Sequence, residues 1–477
     1  MNQIARRTGL PALACLAALG LTGLPAAAAN IPVTTLDDAD AVDGECSLRE
    51  AIEAANANTS YNECAAGTGP SDRILLTVPG TILLSSGLPP LSESAAILGL
   101  GSGASTIDGQ DAWTLLRLDT GGSGQTFRLE RLTLTNGAGS GSGPALNTGA
   151  HTVRIRDAVF SSSTASLRGG ALMALNTDLV LERVWLTANT VTGDTGGGAI
   201  FADGGTLRLL ASTVDGNTTT HASAAGGGLF VSSGVSAEIR DSTVSGNSTL
   251  GMGGGFYFNG TAVTGDLEIQ VTRSTITQNH ANADAAGAFQ IGGGLAIGGG
   301  VSTSANLHLV SSIVAGNSDA SPSGAAPDLA LFGITSATSL GFNVIGDNST
   351  VESEFPAGLP NAAGDAVGTS AAPIDPQLEP LALPGGTMPV HVPMAVAPSI
   401  VIDKGSCPGV VRDQRGLGLA ATGERIFDAP GVLNNPAGDA CDVGAVEIGP
   451  LVALAEPEIL RDGFESATLL FWDLDAP

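Results

Sequence analysis

A short apolar segment closing on Asn or a small substitute returns seven times along the middle of this chain, and that repeat leaves few architectures open. The copies run Leu132 to Asn136, Ala158 to Ser162, Val184 to Asn189, Ser212 to Asn217, Ser242 to Asn247, Ser274 to Asn279 and Ser312 to Asn317. Their central residues, Leu134, Phe160, Leu186, Val214, Val244, Ile276 and Val314, are spaced by 26, 26, 28, 30, 32 and 38 positions. Glycine clusters lie between them, at Gly169, Gly196, Gly226, Gly253 and Gly292, each leading into an apolar residue. Every unit therefore carries two strand segments, one after the glycines (Ala199 to Ala202) and one of period two with β-branched residues (Leu207 to Val214). The polar stretch between Asn and glycine, for example Thr218 to Ala225, varies in length, so insertions are expected at that one edge.

A strand pair this short cannot bury a core alone. Aromatic residues are 4% of the chain and glycines 67 of 477 residues, so only stacking of equivalent strands makes an interior from small side chains. Parallel rungs about 4.8 Å apart satisfy each backbone from the turns above and below. Glycines suit corners that need positive φ or close backbone approach. The recurrent Asn belongs at an inward turn where stacked amides bond to one another, and a row of ligand-binding amides is the competing reading. Helical repeats are excluded by the glycine clusters and the β-branched period-two segments. From Ile74 to Glu447 this spacing predicts about ten to fourteen coils, a rod of roughly 50–65 Å.

At the start, Arg6 and Arg7 precede an apolar run from Leu10 to Leu24 and the small residues Ala27 to Ala29, the pattern of an export signal over 1–29. Without Cys15, four cysteines remain, Cys46, Cys64, Cys407 and Cys441, an even number suited to two disulfides in an oxidising compartment. Three pairings are open; closeness along the chain favours Cys46 with Cys64 and Cys407 with Cys441. An open stack needs capped ends. Ser47 and Glu50 form a capping box, and Leu48, Ala51, Ile52 and Ala55 share one helical face, so a short helix over the first coil is expected. Arg49 and Glu53 are spaced for an ion pair on it. The expected layout is a signal peptide (1–29), an N-terminal cap (30–73), β-helix repeats (74–320), irregular C-terminal coils (321–448) and a tail (449–477) containing Asp462 to Glu465 and Phe471-Trp472.

The motifs resemble known families. Cys46 to Ala51 reads Cys-Ser-Leu-Arg-Glu-Ala, the signature of CSLREA-domain proteins. Ser339 to Gly346, Asp375 to Leu378, Pro384 to Thr387, Ile402 to Gly405, Asp413 to Gly416 and Cys441 to Glu447 together resemble the choice-of-anchor Q domain of secreted bacterial proteins. The repeats are similar to those of polymorphic outer-membrane proteins, which are adhesins. The resemblance implies an all-β protein, a right-handed parallel β-helix, with export to the cell surface or beyond; it implies no particular reaction. No translocator-barrel pattern follows the repeats, which points away from autotransport.

Charge and motifs narrow the chemistry. With 19 Lys+Arg against 46 Asp+Glu the net charge is −27, which disfavours nucleic acid as a partner. After signal cleavage no apolar run is long enough to span a bilayer. Asn176 to Asp178 is like one polygalacturonase motif, but its companion elements are missing. The five histidines, His151, His221, His280, His308 and His391, lack metal spacing. No catalytic residues and no cofactor are expected; the acidic run Asp37, Asp38, Asp40 and Asp43 is the candidate Ca²⁺ site, with a solvated lead-in as its plainer reading. The expected function is a non-catalytic binding, adhesion or structural module whose loops meet glycans or surface proteins. The alternative is a polysaccharide lyase or glycoside hydrolase, which needs charged side chains from consecutive coils on one face.

Overall fold

The computed structural model describes residues 28–453, apart from 70, 119–121, 140, 233, 261–266, 287–290, 300–304, 323–324, 334, 397, 420–424 and 450. The export signal, but for Ala28 and Ala29, and the tail motifs at Asp462 to Glu465 and Phe471-Trp472 lie outside the described residues.

The chain winds as a parallel β-solenoid of about nine turns with one helix. In one ladder the central residues of the sequence repeat pair in register: Leu134 with Phe160, Phe160 with Leu186, Leu186 with Val214, then Val244, Ile276 and Val314. It extends back through Ile107 to Ile82 and forward to Ile345 and Val367. This column points inward and is fully buried, a continuous aliphatic core in which each side chain packs on its equivalents above and below. A second long ladder runs from Asn30–Val33 to Thr335–Ser339, and a third from Leu116–Arg117 to Leu329–Phe332. Two-residue strands from Ala138–Gly139 to Ser318–Asp319 make a small fourth sheet. The turns are fewer than the ten to fourteen expected because the stack ends near Val367 and the following residues leave it.

Several corners of each turn are set by left-handed backbone. One is a column of non-glycine residues, Arg131, Asp157, Arg183, Ala211, Asp241, Arg273 and Ser311, all with φ between 44° and 56°. Another carries the repeat glycines, including Gly197 at φ +74°, where an added Cβ would lie 2.2 Å from the Ile200 carbonyl. The neighbouring Gly198 is required by proximity instead: its Cβ would sit 1.9 Å from the Gly227 oxygen one turn on. Length variation is not confined to one edge, contrary to expectation. Thirteen positions separate Phe256 from Ile269 where the preceding turn takes eight, from Leu229 to Ala237, so a second corner also admits insertions. A corner loop outside the ladders carries no register and is free to lengthen.

The recurrent Asn faces inward as expected. The Asn217 amide N–H and Nδ2 both donate to Asn247 Oδ1, those of Asn247 to Asn279, and those of Asn279 to Asn317, all at 2.9–3.1 Å. Asn189 joins above, and the row ends on the carboxylate of Asp328. Burial of this ladder removes it from ligands. The first two copies are displaced by one position: Ser163 and Gly137 occupy the column, whereas Asn136 and Ser162 are left-handed corner residues. A parallel serine ladder, Ser212, Ser242, Ser274 and Ser312, caps successive backbone N–H groups and ends at Asn343 and Asp365.

Both ends are closed. The helix α1 (Leu48–Ala57) has Ser47 as its N-cap with the reciprocal Glu50 bond, and buries Leu48, Ala51, Ile52, Ala54 and Ala55 over the first strands. Cys46–Cys64 pins it. Arg49 leaves the expected partner Glu53 for Asp38, 2.7 Å away, and for the carbonyls of Ser86 and Gly87. At the far end Val351 and Phe355 plug the core.

The segment after Val367 folds back along the outside of the stack. The Thr213 hydroxyl donates to the Pro389 carbonyl, Thr243 to Gln414, and the Ala445 N–H to Thr275; Ser245 meets His391 Nε2 at 2.8 Å. Cys407–Cys441 closes this segment on itself. Beneath it Arg425, wholly buried, reaches Glu447, Asp241 and the Gly444 carbonyl. Burial raises the carboxyl pKa of both Asp442 and Glu447 against the pull of that guanidinium.

Candidate functional site

Three of the four carboxylates in the acidic lead-in take protein partners, and Asp37 is bonded through its backbone N–H to the Thr35 hydroxyl. Asp38 takes Arg49 and Ser85, Asp40 takes Asn62 and Tyr61, and Asp43 caps the Glu45 N–H. Among the described residues, the three side chains whose ligand atoms come within 4.8 Å of one another are Cys407, Asp439 and Cys441, and both thiols are spent in the disulfide. Asp178 accepts from Thr206 on the outer surface. His308 lies beside Glu268, 3.2 Å away, and the buried His391 is held between Ser245 and the Glu379 carbonyl; burial lowers its pKa although the carbonyl works the other way.

Charged side chains from consecutive turns do share one face. Along the second ladder and its corner run Arg128, Glu130, Arg156, Asp157, Glu182, Arg183, Arg208, Glu238, Asp241 and Arg273. Opposite charges meet between turns at several of these positions, whereas Arg128 and Arg154 are like charges in register on adjacent rungs. Arg183 grips Asp157 with two bonds of 2.6 and 3.0 Å, Arg273 grips Asp241 with 2.7 and 3.0 Å, Arg208 pairs with Glu238 at 2.7 Å, and Arg128 with Glu130. The first three pairs join successive turns in the manner of a cross-strand ion-pair ladder, whereas Arg128 and Glu130 lie on one strand.

A different face carries the feature that sequence reasoning missed. Outward from the third ladder, Met173, Phe201, Phe230 and Tyr257 occupy successive rungs. Phe201 and Phe230 stack at 5.2 Å with 23° between planes, whereas Phe230 and Tyr257, also 5.2 Å apart, are tilted by 58°. Phe332 lies over Gly298, whose Cβ would strike its ring at 2.4 Å, and from there stacks on Tyr257 at 6.3 Å. Arg168 covers the outer end of the row, its guanidinium 4.8 Å from the Phe201 centroid. The signal was present in the sequence: an aromatic follows the first glycine of the cluster by four or five positions in Phe201, Phe230 and Tyr257, in a chain with only 13 Phe and 2 Tyr.

At the tilted rung the wall opens into a cleft of about 460 Å³. Phe230, Tyr257 and Met252 form its apolar floor; Asp194, Thr195, Ser223 and Asn259 supply its polar rim from corner loops and strand ends. The size falls in the range of ligand pockets, roughly 300–1,000 Å³. Asp194 is the single carboxylate in the lining, and no Lys, Arg or His lines it. A second cavity of about 240 Å³ lies under the C-terminal segment, walled by Phe342, Leu359, Ile400 and Leu433. Its one cation, Lys404, already donates to the carbonyls of Ile402 and Leu433.

Fold and cleft together define a parallel β-solenoid with an amphipathic depression on its outer surface. Comparison with known protein families, curated proteins and solved structures finds no match for this chain.

Proposed function

We propose that this protein is an exported, non-catalytic binding module, a rod that displays its outer surface to glycans or surface proteins at the cell surface or outside the cell. The observation that carries the reading is the cleft beside Tyr257: a floor of ring edges and a polar rim, with one carboxylate and no second acid, base or cation among its lining residues. Hydrolysis of a glycosidic bond uses two carboxyl groups flanking the bond, and this lining supplies one. Export is supported by the signal-like pattern at 1–29, by two disulfides, and by the resemblance to CSLREA and choice-of-anchor Q proteins.

The second reading, a polysaccharide lyase or hydrolase, draws on the strip of charged residues from Arg128 to Arg273. Its weight is reduced by the pairing of those charges, since carboxylates and guanidinium groups that hold one another leave fewer groups free to engage a substrate. A glycan and cell-surface binding array, run beside a turnover screen on acidic and neutral polysaccharides with and without Ca²⁺, separates the two. Saturable binding without product supports the module; release of shortened chains overturns it.

A further inference from the structure

We infer that the cleft between Asp194 and Asn259 is a subsite for one neutral pyranose unit of a glycan, and that anionic sugars such as uronates are rejected there. The inference rests on the proposed binding role and gives it a place and a ligand class. Three observations carry it. The aromatic row is stacked at Phe201 and Phe230 and departs from that stacking where Phe230 and Tyr257 tilt by 58°, and the cleft lies at this rung. Tyr257 is 9% exposed, and its hydroxyl makes no hydrogen bond among the described residues although it lines the cleft. The hydroxyl opens on the cleft, where a ligand can take the place of water as its partner. Asp194 stands exposed at the rim, its carboxylate met by the Thr195 hydroxyl at 3.4 Å and otherwise open to donors.

A pyranose matches this lining on both sides. Its axial and equatorial C–H groups give an apolar face for Phe230, Tyr257 and Met252, and its vicinal hydroxyls give paired donors for one carboxylate. Burial raises the Tyr257 pKa, which keeps the phenol a neutral donor. An anionic sugar meets Asp194 and the field of a chain with net charge −27, and finds no cation in the lining to offset either.

The test measures binding of neutral gluco-, galacto- and manno-oligosaccharides and of oligogalacturonate of equal length to the intact exported chain, by calorimetry and by ligand-observed NMR at low salt. At least one neutral series binds, and oligogalacturonate does not. Tyr257→Phe keeps the ring and removes the hydroxyl, and is expected to weaken neutral-sugar binding roughly tenfold, the worth of about one hydrogen bond. Asp194→Asn, on the exposed rim, weakens neutral binding and narrows the gap to the uronate. The proposal is overturned if oligogalacturonate binds as well as the neutral sugars, or if both variants bind them unchanged. Surface or array binding with no neutral sugar engaging the cleft also overturns it and leaves the binding module standing, whereas product release strikes at the binding module itself.

Discussion

Replacing Asn247 with alanine tests the physical basis of the stack most directly. The side chain is fully buried; it donates to the Val214 carbonyl and to Asn279 Oδ1, both at 2.9 Å, and accepts from the Asn217 backbone N–H at 3.0 Å and Nδ2 at 2.9 Å. Alanine leaves the Asn217 N–H without an acceptor in a dry interior, which costs about 1–3 kcal/mol, and forfeits further bonds at about 1 kcal/mol each. The expected loss is therefore about 3–5 kcal/mol. Ser236→Ala, at an exposed position of the same turn, should stay within about 0.5 kcal/mol of the parent. Stacked repeats open locally, so native-state hydrogen exchange reports the effect better than a single melting curve. Protection of the Asn217 amide should fall by roughly two to three orders of magnitude, with little change several turns away. Asn247→Asp keeps the acceptors but loses both donations and buries a charge, so it should be at least as harmful at neutral pH and partly relieved in acid. Equal protection in Asn247→Ala and Ser236→Ala would refute the claim that the amide ladder holds adjacent turns together.

Three further outcomes follow from the folded-back segment and the ladder's end. Cys407→Ser opens a loop of sequence separation 34 and should cost about 3–4 kcal/mol, read as faster limited proteolysis after Val367 while the solenoid's circular dichroism persists. Arg425→Met removes the guanidinium that bonds the Gly444 carbonyl and offsets the burial of Glu447 and Asp442, so it should destabilise the same segment, more at about pH 9 where both carboxyls are ionised than at about pH 6, measured by the same digestion. Burial pushes Asp328 up to about 6 against its hydrogen bonds from Asn317 and Asp347, so the folded state holds a proton that the unfolded chain releases near 3.8. Its contribution is complete below pH 4 and is lost as pH rises through 6; Asp328→Asn should flatten that part of a denaturation-midpoint profile, and an unchanged slope would count against it.

Much of the architecture was legible because stacking repeats the same physical demand every turn. Leu186, Val214 and Val244 had to be apolar, the corner at Gly197 had to be free of a Cβ, and Asn217 had to face its copies, so each left a periodic mark. Ser47 with Glu50 marked the helix equally well, since a capping box is local. The displacement of Asn136 and Ser162 escaped because a one-residue change at a left-handed corner does not disturb the apolar period. The partners of Arg49 escaped because spacing within a helix says nothing of Asp38 arriving from outside it.

The sequence by itself determined a parallel stack, its in-register core column, its helical cap and two disulfides, all of which depend on neighbours in the chain or on equivalents one period away. Only the tertiary structure decided that the stack stops near Val367, that the following segment lies back over Thr213, Thr243 and Thr275, and that Phe230 and Tyr257 tilt apart beside Asp194. Those contacts join residues with no periodic relation, some separated by more than 170 positions. They are chosen by which exposed hydroxyls, rings and charges find complementary surface once the rod has formed, and no repeat encodes that choice.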